Sequence, residues 1–343
     1  MLDERWSDAE VALVDGLRAV LVPECPTSVV RAAEASDDGR APRLEAALGA
    51  FGLDEVADAA EPGQLAAAAW ELGRALAPVP FVETATVRAV LGIDDAAYGL
   101  EGTVPASVGH VVVAGAGTSV DGGLALVSVD AAAARRTTAG DLLAPPRDEV
   151  GTILDTSETD RLGRLARLLG AARLVGASEG LLALGIEYVK GREQFGRPVG
   201  AFQAVAHRLA DAAIVSDGAG LLVRKAAWVA ATEQGGDGAP ERLFATMAWA
   251  KAVEAARVVA ASVHQCMGGY GFALEYDCQL FSRRMRSWSM RLGRPGPELA
   301  SMARALLEAP SRDAVRHLWH NDQGVPLPRW AGDLDGNRER ATR

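Results

Sequence analysis

The chain has 343 residues, 49% of them hydrophobic and 23% charged, enough for a large core or for two or three packed subdomains sharing one. A net charge of −10 excludes a nucleic-acid coat, because neutralising phosphates takes clustered Lys and Arg; a local basic pocket for an anionic small molecule remains compatible with it. Three cysteines (Cys25, Cys266, Cys278) without a CxxC pair, a polar acidic start and no long uninterrupted apolar run predict a cytoplasmic, reduced protein without disulfides or a membrane span.

Residues 7–91 carry helical periodicity. Acid and apolar residues alternate at three- and four-residue spacing over 8–20. An Ala-rich helix is expected over 64–76, with Leu65, Ala69, Leu72 and Leu76 on one face. It must stop before Pro78 and Pro80, where the missing N–H and the ring clash end a helix. From 92 to 150 the periodicity disappears. HVVVA (110–114) and LALVSV (124–129) read as strands joined by the turn-rich GAGTSVDGG, a small β module. Beyond it, long helices are predicted at 160–190, 201–232, 240–267 and 297–319. Glycine and proline separate them, and short breaks between long helices suggest an up-down bundle. The expected domains are 1–91, helical; 92–150, β; 151–320, a helical bundle; and 321–343, a loose Pro-, Gly- and charge-rich tail.

Two segments carry chemistry. YVKGREQFGRPVGAFQ (188–203) puts Arg192 at a helix end, then a Gly-Pro turn, then Gln203 at the start of the next helix. One guanidinium and two amides around one corner can grip a pyrophosphate, which wants planar charge-assisted donors. QCMGGYGFALEY (265–276) is a glycine-dense helix exit, where backbone N–H groups can approach a ligand without Cβ obstruction. Either segment alone is also consistent with an ordinary helix corner or a glycine cap.

Together, and with ELGRALAPVPF (71–81), these stretches resemble the acyl-CoA dehydrogenase family over most of the chain to about residue 285. The resemblance implies a mainly α fold with a small β module: an N-terminal helical domain, a reduced middle β domain and a C-terminal four-helix bundle. It implies FAD at a subunit interface, with Arg192 on the pyrophosphate, Gln194, Phe195 and Gln203 lining the same ADP site, and Gln265, Gly268 and Gly269 on the adenosine side.

The same resemblance exposes losses. The family's catalytic Glu occupies one of two positions, which fall here on Leu292, near the start of the last bundle helix, and on Ala166, directly before Arg167. Neither side chain can accept a proton. Glu298 lies almost two turns past Leu292 and is a poor substitute. The Thr-Glu-Pro…Gly-Ser-Asp run that opens the family's middle domain has no counterpart between 87 and 111. Arg284 stands where the family usually has Asp, which disturbs a structural ion pair.

The pattern is similar to the shorter chain of heteromeric acyl-CoA dehydrogenases of bacterial steroid catabolism. That likeness implies a heterotetramer (two of each chain) whose longer chain supplies the Glu, an acyl-CoA substrate on a bulky ring system, and electron-transfer flavoprotein as acceptor. The alternatives are a homomeric flavin monooxygenase on the same fold, which needs no Glu base, and a flavin-free scaffold. His207 with Asp211 and the pair His317 and His320 read as exposed helix surface rather than metal ligands; Arg283, Arg284 and Arg286 read as a solvated face; Trp228, Trp249 and Trp288 as core or interface.

Overall fold

The computed structural model describes residues 6–99, 104–114, 124–149, 151–232, 238–293, 295–297, 299–300 and 303. Six helices open the chain: α1 (Asp8–Glu24), α2 (Thr27–Ala35), α3 (Pro42–Phe51), α4 (Leu53–Ala59), α5 (Pro62–Arg74) and α6 (Phe81–Leu91). α1 starts at a reciprocal cap: Glu10 N–H donates to Ser7 Oγ at 3.4 Å, and Ser7 N–H donates to Glu10 Oε2 at 2.7 Å. α5 is the expected Ala-rich helix, and it ends before Pro78 and Pro80.

Two small sheets follow. β1 (Ala96–Tyr98), β3 (His110–Ala114), β4 (Leu124–Ser128) and β7 (Thr152–Ile153) form one, with β1 and β3 parallel and the other pairs antiparallel. β2 (Val104–Pro105), β6 (Leu142–Ala144) and β5 (Arg135–Arg136) form the other. Only β3 and β4 were predicted. The remaining strands have two or three residues, too short for alternation to show. The predicted turn over 115–123 lies outside the described residues.

The bundle is α7 (Thr156–Gly191), α8 (Gln203–Thr232), α9 (Ala239–Met267) and α10 (Cys278–Arg291). Asp155 and Glu158 cap α7 as Ser7 and Glu10 cap α1. α10 was not predicted as an element, although Phe281, Met285 and Trp288 recur at four and three residues and are buried. The predicted helix 297–319 lies almost wholly outside the described residues, as do Glu298, His317, His320 and the tail 321–343. By length and composition α7 could cross a bilayer, contrary to expectation, but 72% of its most apolar stretch is buried inside the protein. It is a core helix, packed between α5, α8, α9 and α10. Its crossing with α5 is close enough to need glycine: a Cβ at Gly176 would collide with the Trp70 carbonyl.

The main core runs continuously from α1 to α10. Trp249 and Trp288 belong to it, and Trp228 packs against it half-buried. A second apolar cluster fills the β region, and a third forms the seam between that region, α6 and α7. The three cysteines are unpaired thiols.

Candidate functional site

α7 ends where Arg192 turns out of the helix at φ −83°, ψ 118°, its N–H still donating to Tyr188 O at 2.9 Å. The expected Gly-Pro turn is a tight hairpin. β8 (Glu193–Gln194) pairs with β9 (Arg197–Pro198), and Phe195 (φ 55°) and Gly196 (φ 77°) form its tip. Two positive φ angles in sequence are what a two-residue hairpin demands. Glycine adopts them freely, whereas a bulky Phe there stores on the order of 1–3 kcal/mol of backbone strain. Phe195 is 93% exposed; its ring meets Phe202 edge-on at 6.1 Å, and Arg197 sits 4.1 Å over Phe202. Gln194 is exposed and donates to the Glu193 carbonyl at 2.6 Å. Val199 N–H closes the corner on Arg192 O at 2.7 Å, and α8 begins at Gln203.

α9 ends beside this corner. Gly268 takes φ 61°, ψ −136°, and its N–H donates back to the carbonyls of His264 and Gln265. Gln265, Gly268 and Gly269 are exposed. No atom lies within 4 Å of where a Cβ would stand at Gly268 or Gly269, so the backbone there faces open space. Tyr270 joins the two segments. Its ring lies 5.5 Å from the Arg192 guanidinium, 6.2 Å from Tyr188 and 5.0 Å from Tyr276. His264 stacks on Phe272 at 5.1 Å, and burial pushes its imidazole down. Arg192 has no carboxylate partner among the described residues, so its donors are available to an anion. Arg192, Gln194, Phe195, Gln203, Gln265, Gly268 and Gly269 thus gather at one end of the bundle, where α7 and α9 finish and α8 starts. The sequence reading gave Tyr188, Tyr270 and Tyr276 no role, although each sits inside a quoted motif. The residues present fit a dinucleotide: a free guanidinium, exposed amides and an unobstructed glycine backbone.

The other half of the picture is the seam. Ala166 is 2% exposed and shares an apolar cluster with Val87, Tyr98, Val112, Leu124 and Leu162. Leu292 packs against the same cluster. Its Cδ1 would lie 2.7 Å from a Cβ built at Gly170, so a side chain there would push Leu292 aside. Leu292 terminates α10, Gly293 follows at φ 75°, and the described residues 295–297 after it are helical again, so the position lies near a helix start as expected. The two positions that lack a carboxylate therefore belong to one apolar seam, Ala166 buried in it and Leu292 half-buried against it.

Arg284 was expected to disturb a structural ion pair, yet it makes ion pairs of its own, and Arg283 and Arg284 are not the solvated face expected of them. They belong to a lattice of ion pairs that ties every domain together. Glu34 of α2 receives Arg283 at 2.9 Å and Arg284 at 3.1 Å; Asp141 next to β6 receives Arg291 at 2.5 Å; Glu83 of α6 receives both Arg173 and Arg291 at 2.9 Å. Arg173 also stacks on Trp288 at 4.5 Å. Burial works to raise the Glu83 carboxyl, but the fields of Arg173 and Arg291 outweigh it and hold the group below the usual carboxylate range. The lattice lines a narrow cleft of about 70 Å³ between α6, the β region and the bundle. Arg286, by contrast, is exposed, as are His207 and Asp211 on α8.

The fold and the site define a class, flavoprotein oxidoreductases built on a helical bundle with a small β domain: the chain belongs to the acyl-CoA dehydrogenase family. The family described as acyl-CoA dehydrogenase, C-terminal domain, matches residues 163–307. Acyl-CoA dehydrogenase IpdE2 of Mycobacterium tuberculosis is 31% identical over 312 residues, covering 82% of this chain and 92% of the relative. IpdE2 of Mycolicibacterium smegmatis is 29% identical, covering 85% and 97%. Among solved structures, a Tcur3481-Tcur3483 steroid ACAD variant superposes with a TM-score of 0.77 at 24% identity, covering 87% of this chain and 98% of that one. The ChsE4-ChsE5 complex from Mycobacterium tuberculosis superposes with 0.74 at 22%, covering 90% and 100%. At those identities the superpositions establish the fold.

Proposed function

We propose that this chain is the base-lacking subunit of a heteromeric, cytoplasmic acyl-CoA dehydrogenase, shaped to share FAD with a longer partner chain. The carrying observation is that Ala166 is buried in an apolar seam against which Leu292 packs, while the Arg192 corner stands open. Neither Ala166 nor Leu292 can take an α-proton, and on this reading that proton leaves to a Glu on the partner. Bound flavin supplies hydride acceptance from the thioester β-carbon, and electron-transfer flavoprotein is the expected final acceptor. This chain's contribution is grip: Arg192 offers a planar fork to a pyrophosphate, and the backbone at Gly268 and Gly269 can lie flat against a nucleotide. The names of the two superposed assemblies, one a steroid ACAD and one a two-component complex, support the heteromer and a CoA thioester on a bulky ring system.

The test is Arg192→Ala in the complex co-expressed with its partner. Losing one charge-assisted, bidentate contact is expected to cost about 1.5–3 kcal/mol, roughly tenfold to a hundredfold in flavin affinity. Flavin absorbance per complex after gel filtration measures it, and Arg192→Lys is expected to recover only part because it lacks the fork. Flavin content unchanged in Arg192→Ala would remove the corner from the account.

A further inference from the structure

A guanidinium grips a pyrophosphate best when it is held in place beforehand, because a long side chain loses rotamer freedom when it pairs. Arg192 is exposed, and no carboxylate among the described residues holds it. The two neighbouring cations of the corner are committed elsewhere. Lys190 pairs with Glu187 at 2.8 Å, and Arg197 lies 4.1 Å over the Phe202 ring. The group that does meet Arg192 is Tyr270. Its ring centroid lies 5.5 Å from the Arg192 Cζ, inside the roughly 6 Å reach of a cation–π contact.

That ring is itself held. The turn that carries it sits tightly on the end of α9: a Cβ at Gly271 would lie 3.0 Å from the His264 carbonyl oxygen. The Tyr270 carbonyl accepts the Ala273 N–H at 3.2 Å, which closes the turn. Tyr188, on the last turns of α7, lies 6.2 Å from the Tyr270 ring, and Tyr276, just ahead of α10, lies 5.0 Å from it, edge-on. Segments far apart in sequence thus fix one aromatic ring, which is still 41% exposed. A side chain that serves only the core would be buried; this one is braced by two tyrosines and open to a ligand.

We infer that Tyr270 is a positioning residue for the nucleotide grip: its ring holds the Arg192 guanidinium by a cation–π contact, and Tyr188 and Tyr276 hold the ring. This rests on the proposed role of Arg192 and adds the group through which the two glycine-bearing motifs act as one site. Tyr270 works through Arg192, so losing it costs less than losing Arg192 itself. The contact belongs to the ring and not to the phenol oxygen, so phenylalanine can replace it.

The test uses the complex co-expressed with the longer chain and stripped of flavin. FAD affinity is read from flavin fluorescence on titration; ADP, which carries the pyrophosphate without the flavin ring, is the second probe, by calorimetry. Tyr270→Leu is expected to weaken both ligands about threefold to thirtyfold, the span of a cation–π contact, and by less than Arg192→Ala does. Tyr270→Phe is expected to bind as the wild type does. In an Arg192→Ala background, Tyr270→Leu is expected to change affinity by less than about twofold, because the group it positions is gone. Gel filtration checks that each complex assembles, and Tyr270→Gln replaces Tyr270→Leu if that variant does not. Wild-type affinity in Tyr270→Leu beside a weakened Arg192→Ala overturns the inference and leaves the corner standing. So does a Tyr270→Phe variant as weak as Tyr270→Leu, or an undiminished loss from Tyr270→Leu in the Arg192→Ala background. Wild-type affinity in Arg192→Ala removes the corner, and the role of Tyr270 with it.

Discussion

Restoring a carboxylate by Ala166→Glu is expected to yield a destabilised chain and no dehydrogenase. The side chain would enter an apolar cluster that includes Val87, Tyr98, Val112, Leu124 and Leu162, with Leu292 packed against it. An uncompensated buried charge costs on the order of 3–5 kcal/mol, so the carboxyl would stay protonated or the seam would open. Ala166→Leu is the steric control, and overpacking alone is expected to cost about 1–3 kcal/mol. Urea midpoints separate the two, and a dye-coupled assay with acyl-CoA checks for activity. Leu292→Glu is expected to behave alike, because Leu292 fills the space above Gly170. A gain of thioester oxidation by either variant in the absence of a partner would show that the seam is a working active site missing only its base.

The second large effect is expected at Glu83→Gln. Glu83 is the shared acceptor of Arg173 and Arg291, and both guanidiniums are largely enclosed. Removing its charge strands the buried Arg173, while Arg291 keeps Asp141, and the expected loss is about 3–5 kcal/mol. Arg173→Met is expected to cost less, because Glu83 keeps Arg291 and the Met fills the space against Trp288. The same pair fixes a pH dependence. The folded-state carboxyl of Glu83 lies below its unfolded value, so its contribution is complete above the unfolded carboxylate range. It is lost as pH falls through the depressed folded value. Denaturant midpoints measured from pH 7 down to pH 3 should fall more steeply for the wild type than for Glu83→Gln. Parallel curves would mean that the lattice carries no linkage.

The sequence made the long elements legible and the short ones not. α7, α8 and α9 announce themselves because their breaks are glycine and proline, whose backbone consequences are local. β1, β2, β5, β6 and β7 have no periodicity to read and exist through partners far along the chain. α10 hid behind its arginines. A run such as SRRMRSWSMR looks solvated until the acids that pair with it, Glu34, Glu83 and Asp141, are brought from three distant places. The corner was readable as a set of residues, Arg192, Gln203 and the glycines, because ligand grips use small chemical vocabularies. The aromatic link through Tyr270 was not, since nothing in one dimension says that the ends of α7 and α9 abut. That Ala166 and Leu292 share one seam likewise became visible only when α10 folded back on α7.

Flavin stoichiometry tests the central claim most directly. The chain is purified alone and with the longer acyl-CoA dehydrogenase subunit co-expressed, and FAD is counted per polypeptide. An asymmetric pair of half-sites predicts no retained FAD on the chain alone and about two per heterotetramer in the closed assembly, one for each unlike interface. Full flavin occupancy on a homodimer of this chain would contradict the account.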